Sequence, residues 1–211
     1  HEKGLRLGGA WITGTLDLEG CRIPRDIGLL DCRFDAIPVL RSAVIDTLSL
    51  DGSTLPGLNA DRVEARGDLL FRAATVVGPI ALKGARIEGD LVFDGATLSR
   101  PGGFAIEANS VTVGGDVALR HAAITGSFDL QTARVGGDLD LSGATLSVPG
   151  GMALNLDRTR VTAAFFLRQG ARVDGTLSFA GAELGAILDD PASWPAKGDL
   201  VLNRCLYGAF L

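Results

Sequence analysis

An eleven-residue repeat runs through almost the whole chain, and it restricts the fold more than any other feature. It is plainest from Ile80 to Leu98. Ile80, Leu82, Ala85 and Ile87 are followed, eleven residues on, by Leu91, Phe93, Ala96 and Leu98. Numbered within a unit, positions 1 and 3 are apolar, position 6 is small and position 8 is apolar. The frame recurs as Leu5, Leu7, Ala10, Ile12 near the start and as Leu139, Leu141, Ala144, Leu146 further on. Apolar residues two apart, with an outward residue between them, indicate strand and exclude helix. Gly67-Asp68, Gly89-Asp90, Gly115-Asp116 and Gly137-Asp138 supply turn chemistry between the strands. A unit of two very short strands cannot bury its inward row alone, so the next unit must stack on it. The spacing predicts an all-β, parallel β-helix.

The first inward residues of the units are Leu5, Leu16, Ile27, Ile37, Leu48, Leu58, Leu69, Ile80, Leu91, Ile106, Val117, Phe128, Leu139, Leu154, Phe165 and Leu177. Steps that depart from eleven all fall after an odd unit in this assignment. Asp26, Asp68, Asp90, Asp116 and Asp138 all precede odd units. The outward residue before position 8 is Thr54, Thr75, Thr97 or Thr145 on odd units and Arg22, Arg86, Arg134 or Arg160 on even ones. One coil is therefore two units, about 22 residues, and sixteen units make eight coils roughly 40 Å long. Variation in length belongs to one edge of the stack.

Ala85-Arg86-Ile87-Glu88-Gly89 and Leu91-Val92-Phe93-Asp94-Gly95 each look like one pentapeptide repeat. From about Leu5 to Leu184 the chain resembles the pentapeptide-repeat proteins, which form four-sided, right-handed β-helices. It departs from them in having one extra residue per pair of pentapeptides. A closer resemblance is to a bacterial group of such helices often labelled membrane-associated oxidoreductases. These carry a segment similar to Asp189-Asp190-Pro191-Ala192-Ser193-Trp194-Pro195, followed by a Leu-x-Leu and a Tyr, as in Leu200 to Tyr207. The resemblance implies a right-handed solenoid and an accessory role within a larger membrane-associated protein or enzyme. For some pentapeptide-repeat proteins it implies mimicry of DNA toward a topoisomerase. That role needs an acidic stripe, and the Arg22, Arg86, Arg134, Arg160 column runs against it.

With 46% apolar residues, 211 residues can bury one long core as a single domain. The net charge of −5 argues against tracking a nucleic-acid backbone. No charge-free apolar run approaches a membrane span, and no signal peptide is apparent. These features point to a cytoplasmic chain, with membrane association through segments outside it. Without an initiator Met, the sequence reads as a fragment or a processed form. Cys21, Cys32 and Cys205 occupy position 6, where Ala is usual, and are expected to be buried small hydrophobes. His121 is one of two histidines and is expected to be a solvated turn residue. No triad, metal-ligand spacing or nucleotide fingerprint is present, so no catalytic residue, metal site or cofactor is assigned. Each corner Asp is expected to accept a backbone N–H within its own turn.

Two four-residue insertions, Ser99-Arg100-Pro101-Gly102 and Ser147-Val148-Pro149-Gly150, lie two coils apart on one edge. Arg100, Pro101, Phe104, Val148, Pro149 and Met152 are the candidate interaction residues there. Residues 1–188 form the expected β-helix. Residues 189–211 leave it as a loop and return as a final partial coil, with Trp194 and Tyr207 as candidate cap residues. The expected function is a non-catalytic scaffold that binds a protein partner or another copy of itself through its coil ends.

Overall fold

The computed structural model describes residues 4–210. They form a right-handed parallel β-solenoid with about 22 residues per turn. Leu5, Ile27, Leu48, Leu69, Leu91, Val117, Leu139, Phe165, Ile187 and Phe210 pair in succession down one face. Leu58, Ile80, Ile106, Phe128, Leu154, Leu177 and Leu200 do the same on another. The first series advances by 21 to 23 residues, except for two steps of 26 that contain the insertions. It describes about nine coils, one more than the repeat count gave, because the stretch after Leu184 completes a turn. Two parallel sheets of 16 and 11 strands wrap the coil. One joins the faces beside the Gly-Asp corners, and the other joins the faces beside the insertions. Among the described residues the one helical element is the 3-10 turn Pro191–Ser193.

The bore is filled by buried apolar side chains and finely graded in size. Position 3 of odd units stacks Phe71 on Phe93 with ring centroids 4.9 Å apart, and both rings are fully buried. Position 6 keeps small side chains because the wall turns sharply there. Ala85 and Ala133 lie on one wall two coils apart, since Arg86, Thr112 and Arg134 pair in register. Where position 6 is polar it is satisfied: the buried Ser53 hydroxyl donates to Leu29 O at 2.7 Å and accepts from Cys32 N at 2.8 Å.

Three expectations need correction. Ile37 is 39% exposed, and Pro38 takes its place in the inward column, as the bridges Asp17 to Val39 and Val39 to Asn59 require. The corner Asp35-Ala36-Ile37 is one residue longer than assumed, so one ten-residue step moves to the opposite corner. Cys21 is exposed and Cys205 half-buried; only Cys32 is buried. Both exceptions belong to end coils, where position 6 has a neighbour on one side alone.

The third correction concerns the Asp column. Asp68, Asp90, Asp116 and Asp138 do not serve their own turns. Each Oδ1 accepts a backbone N–H from the following coil: Asp90 N at 2.9 Å, Asp116 N at 2.9 Å, Asp138 N at 2.8 Å and Ala164 N at 2.8 Å. This arrangement explains the glycine in each Gly-Asp pair. A Cβ on Gly89, Gly115 or Gly137 would lie 2.1, 2.0 and 2.0 Å from the preceding coil's carboxylate oxygen. Carboxylate and glycine are thus two halves of one inter-coil contact.

Candidate interaction surfaces

At the loop edge, the strands Thr97–Glu107 and Thr145–Asn155 run straight through the insertions. Pairing is regular up to Ser99, Thr125, Ser147 and Asp174. It resumes at Phe104 with Ser127 and at Met152 with Thr176, with the register shifted. Between these points the extra residues bulge outward. Gly102 and Gly150 turn the loops in the left-handed region, with φ of 71° and 72°. Gly103 and Gly151 then let the preceding side chain fold back: an added Cβ would meet Arg100 Nε and Val148 Cγ1, each at 2.8 Å.

The coil after each loop is shaped to receive it. A Cβ on Gly126 would lie 2.5 Å from Arg100 O, and one on Gly175 would lie 2.7 Å from Val148 O. Loop coils therefore alternate with glycine-cornered coils. The two loops are copies of one motif: Thr97, Leu98, Ser99, Pro101, Gly102, Gly103 and Ala105 recur as Thr145, Leu146, Ser147, Pro149, Gly150, Gly151 and Ala153. The match extends beyond the four-residue insertions on both sides and is visible in the sequence.

Arg100, Pro101 and Pro149 are exposed, and Phe104 is 42% exposed. Val148 and Met152 are half-buried, and Val148 packs against the core. Val77, 64% exposed, pairs with Ser99 and extends the apolar edge. The sequence reading missed Val77, because it follows an inward residue and looks like a continuation of the core run. Ile37 joins the same edge once it leaves the bore.

The other faces carry charge in compensated form. Arg120 grips Asp94 with Nε at 3.0 Å and Nη2 at 2.6 Å, which raises the guanidinium's proton affinity. Lys83 reaches Glu107 at 2.9 Å, and its pKa is raised by that contact. Asp129, 8% exposed, has its carboxyl raised above the usual range by burial, reinforced by Glu107 and Asp157; Gln131 N and Asn155 oppose this by hydrogen bonding. In the arginine column, Arg160 pairs with Glu183 and Arg86 lies 3.7 Å from Glu64. Among the described residues no group of three or more His, Cys, Asp or Glu is placed to hold a metal ion. His121 sits exposed at a left-handed corner with φ of 57°.

At the C-terminal end, Trp194 lies 6.2 Å from the Phe179 ring, and its indole N–H donates to Asp189 Oδ2. Tyr207 pairs with Leu184 through the backbone and stays 54% exposed. Beside them Ile187, Trp194, Leu200, Leu202, Cys205 and Tyr207 line an apolar opening of about 460 Å³, where burial pushes the Cys205 thiol pKa up.

No model of a known protein family matches the chain, and a search of curated proteins returns no match. Among the described residues no helix is long and apolar enough to cross a membrane.

Proposed function

We propose that this solenoid is a non-catalytic scaffold whose loop edge docks a protein partner. The observation that carries the reading is the repeated Pro-Gly-Gly motif. It is built twice at the same height, each time backed by a glycine-cornered coil, and each time it sets a large apolar side chain, Phe104 or Met152, at the rim. Scattered exposed apolar residues mean little, but an aligned group on a rigid face is what partner surfaces use. Two such projections on alternate coils stand about 10 Å apart, at twice the ~4.8 Å strand spacing. A β-ladder holds them there at little entropic cost on binding. Kinship with the pentapeptide-repeat solenoids, and the accessory role in a larger membrane-associated protein that it implies, form part of this reading.

The experiment is site-specific photo-crosslinking in the source cells. A benzophenone side chain replaces Phe104 in one variant and Thr75, on the plain threonine face, in another. A discrete crosslinked protein from position 104, absent from position 75 and lost when Met152→Asp is added, supports the reading. Equal labelling from both positions defeats it.

A further inference from the structure

Away from the loops, successive coils pair cations with carboxylates. Arg41, Arg72, Arg86 and Arg120 each reach an acidic group on the coil before, at Glu19, Asp51, Glu64 and Asp94. The pattern lapses at the corner that ends the face following the loops. There Arg134 stands in register with Thr112 of the coil before. Arg158 takes the left-handed corner position that Ser110 and Thr132 hold on the two preceding coils. Hydroxyls thus replace the carboxylates. Among the described residues neither Arg134 nor Arg158 has an ion-pair partner. Arg160 pairs in register with Arg134, and like charges side by side on a sheet repel.

These three arginines converge on a cleft of about 460 Å³ whose other walls include Ser110, Thr132 and Glu183. We infer that this cleft is a binding site for a phosphate dianion, either the free ion or the terminal group of a small phosphomonoester.

Charge, donor chemistry and extent select that ligand. Three guanidiniums against one carboxylate leave the cleft with two positive charges. A phosphomonoester carries about −1.5 to −2 near neutral pH and complements them. The Glu183 charge is engaged by Arg160, whose Nε donates to Oε2 at 2.8 Å and whose Nη2 donates to the same oxygen. That contact holds one guanidinium in place before the anion arrives, so less freedom is lost on binding. Planar guanidinium forks match the oxygens of a phosphate. The exposed Ser110 hydroxyl, 2.8 Å from Thr132 Oγ1, can turn its proton toward an entering oxygen.

The positive charge is local. In the column of Arg134 and Arg160, Thr112 stands before them, and Glu183 and Leu206 follow. A polyanion would find no continuing cationic track there; a single dianionic group fits. The volume lies within the range of small-molecule sites and leaves room for the organic part of an ester.

The test is calorimetric titration of the purified chain at low ionic strength with inorganic phosphate, glycerol 3-phosphate, sulfate and dimethyl phosphate. The three dianions should bind, and the dimethyl ester, a monoanion, should bind at least about tenfold more weakly. Affinity for phosphate and glycerol 3-phosphate should rise about tenfold from about pH 5 to about pH 7, as the second proton leaves near pH 6. Sulfate, dianionic throughout, controls for the protein's own titration. Arg134→Gln and Arg158→Gln, at exposed sites, should keep the circular dichroism and melting temperature yet each weaken binding about tenfold. Arg86→Gln, outside the cleft, should leave binding unchanged.

Tighter binding of glycerol 3-phosphate than of phosphate upholds the site and assigns it an ester; the reverse upholds it and assigns it the free ion. Absence of binding at tens of millimolar phosphate would overturn the inference. So would affinities unmoved by Arg134→Gln and Arg158→Gln, or an equal loss in Arg86→Gln, which would mark a diffuse response to surface charge.

Discussion

At the corner before each odd half-coil, Gly89, Gly115 and Gly137 lie against a carboxylate of the preceding coil, and the connection is two or three residues long throughout. At the corner after it, the connection ranges from two residues at Pro56-Gly57 to seven at residues 99–105 and 147–153. The first corner is a chain of contacts between coils, so an extra residue there would unseat a carboxylate and free an N–H. The second corner closes through backbone bends that neighbouring coils accommodate, so it can grow. Stability and variation are thereby assigned to opposite edges of one coil, and any partner surface is expected on the edge that can change.

The strongest way to break this comparison is to crowd the contact edge. A Cβ on Gly136 would lie 2.2 Å from Gly114 O, a backbone atom with nowhere to go. Gly136→Ala should cost about 3 kcal/mol, read from the denaturant midpoint. Asp90→Ala should cost about 1 kcal/mol, because Asp116 N loses its acceptor but sits where water can reach it. Asp90→Asn keeps an acceptor oxygen and should recover most of that loss. If the two Asp90 variants unfold alike, the carboxylate contact is not what holds the edge.

Much of this was legible from one dimension, because a solenoid writes its inward columns directly into sequence period. The 22-residue coil followed from parity at Asp68, Asp90, Asp116 and Asp138 and from the Thr and Arg columns. The conclusion survived an error in one of its supports. Ile37 was read as inward on hydrophobicity, yet Pro38 is buried in the column, and its carbonyl accepts from Asn59 N at 3.0 Å.

The destination of each carboxylate was not legible. Its partner lies 22 or 26 residues away, and local turn chemistry offers an acceptable alternative. Nor was it visible that Ala73, His121 and Arg158 adopt left-handed corners, a conformation that sequence habits reserve for glycine. The loop residues Arg100 and Phe104 could be placed on one edge, but the glycine shelves at Gly126 and Gly175 that support them emerge only from stacking.

On the loop edge the same substitution should be milder. Gly102→Ala meets nothing within 4 Å and carries only the left-handed backbone penalty, about 1 kcal/mol. A loss as large as that for Gly136→Ala would erase the contrast between the edges.

A smaller effect of opposite sign is expected at Asp129, on the face that follows the loops. Burial holds its carboxyl above the usual range. Between the ordinary carboxylate value and the raised one, the folded state therefore binds more protons than the unfolded state, and stability falls as pH rises through that window. Asp129→Asn keeps an oxygen for Gln131 N, as Asn155 does for Asp157 N one coil on. The variant should be more stable than the parent at neutral pH, with the difference shrinking in acid. A melting temperature that falls at pH 7 would contradict the assignment.

The smallest expected effect on stability is also the sharpest test of the division of labour. Coils on either side of the first loop close the same corner with three residues, Val77-Gly78-Pro79 and Thr125-Gly126-Ser127, each with a central glycine at positive φ. Replacing Arg100–Phe104 by a single glycine leaves Ser99, that glycine and Ala105, the same three-residue corner. Neighbouring plain corners already pack on each other at Gly57 and Gly78, so the shortened coil has a precedent in this chain. The unfolding free energy should move by no more than about 0.5 kcal/mol, since a shorter loop recovers little closure entropy. Photo-crosslinking moved to Met152 should lose its partner at the same time. A collapse in stability would mean that the loop is structural after all. Unchanged crosslinking would mean that the docking surface lies elsewhere on an edge that is merely permissive.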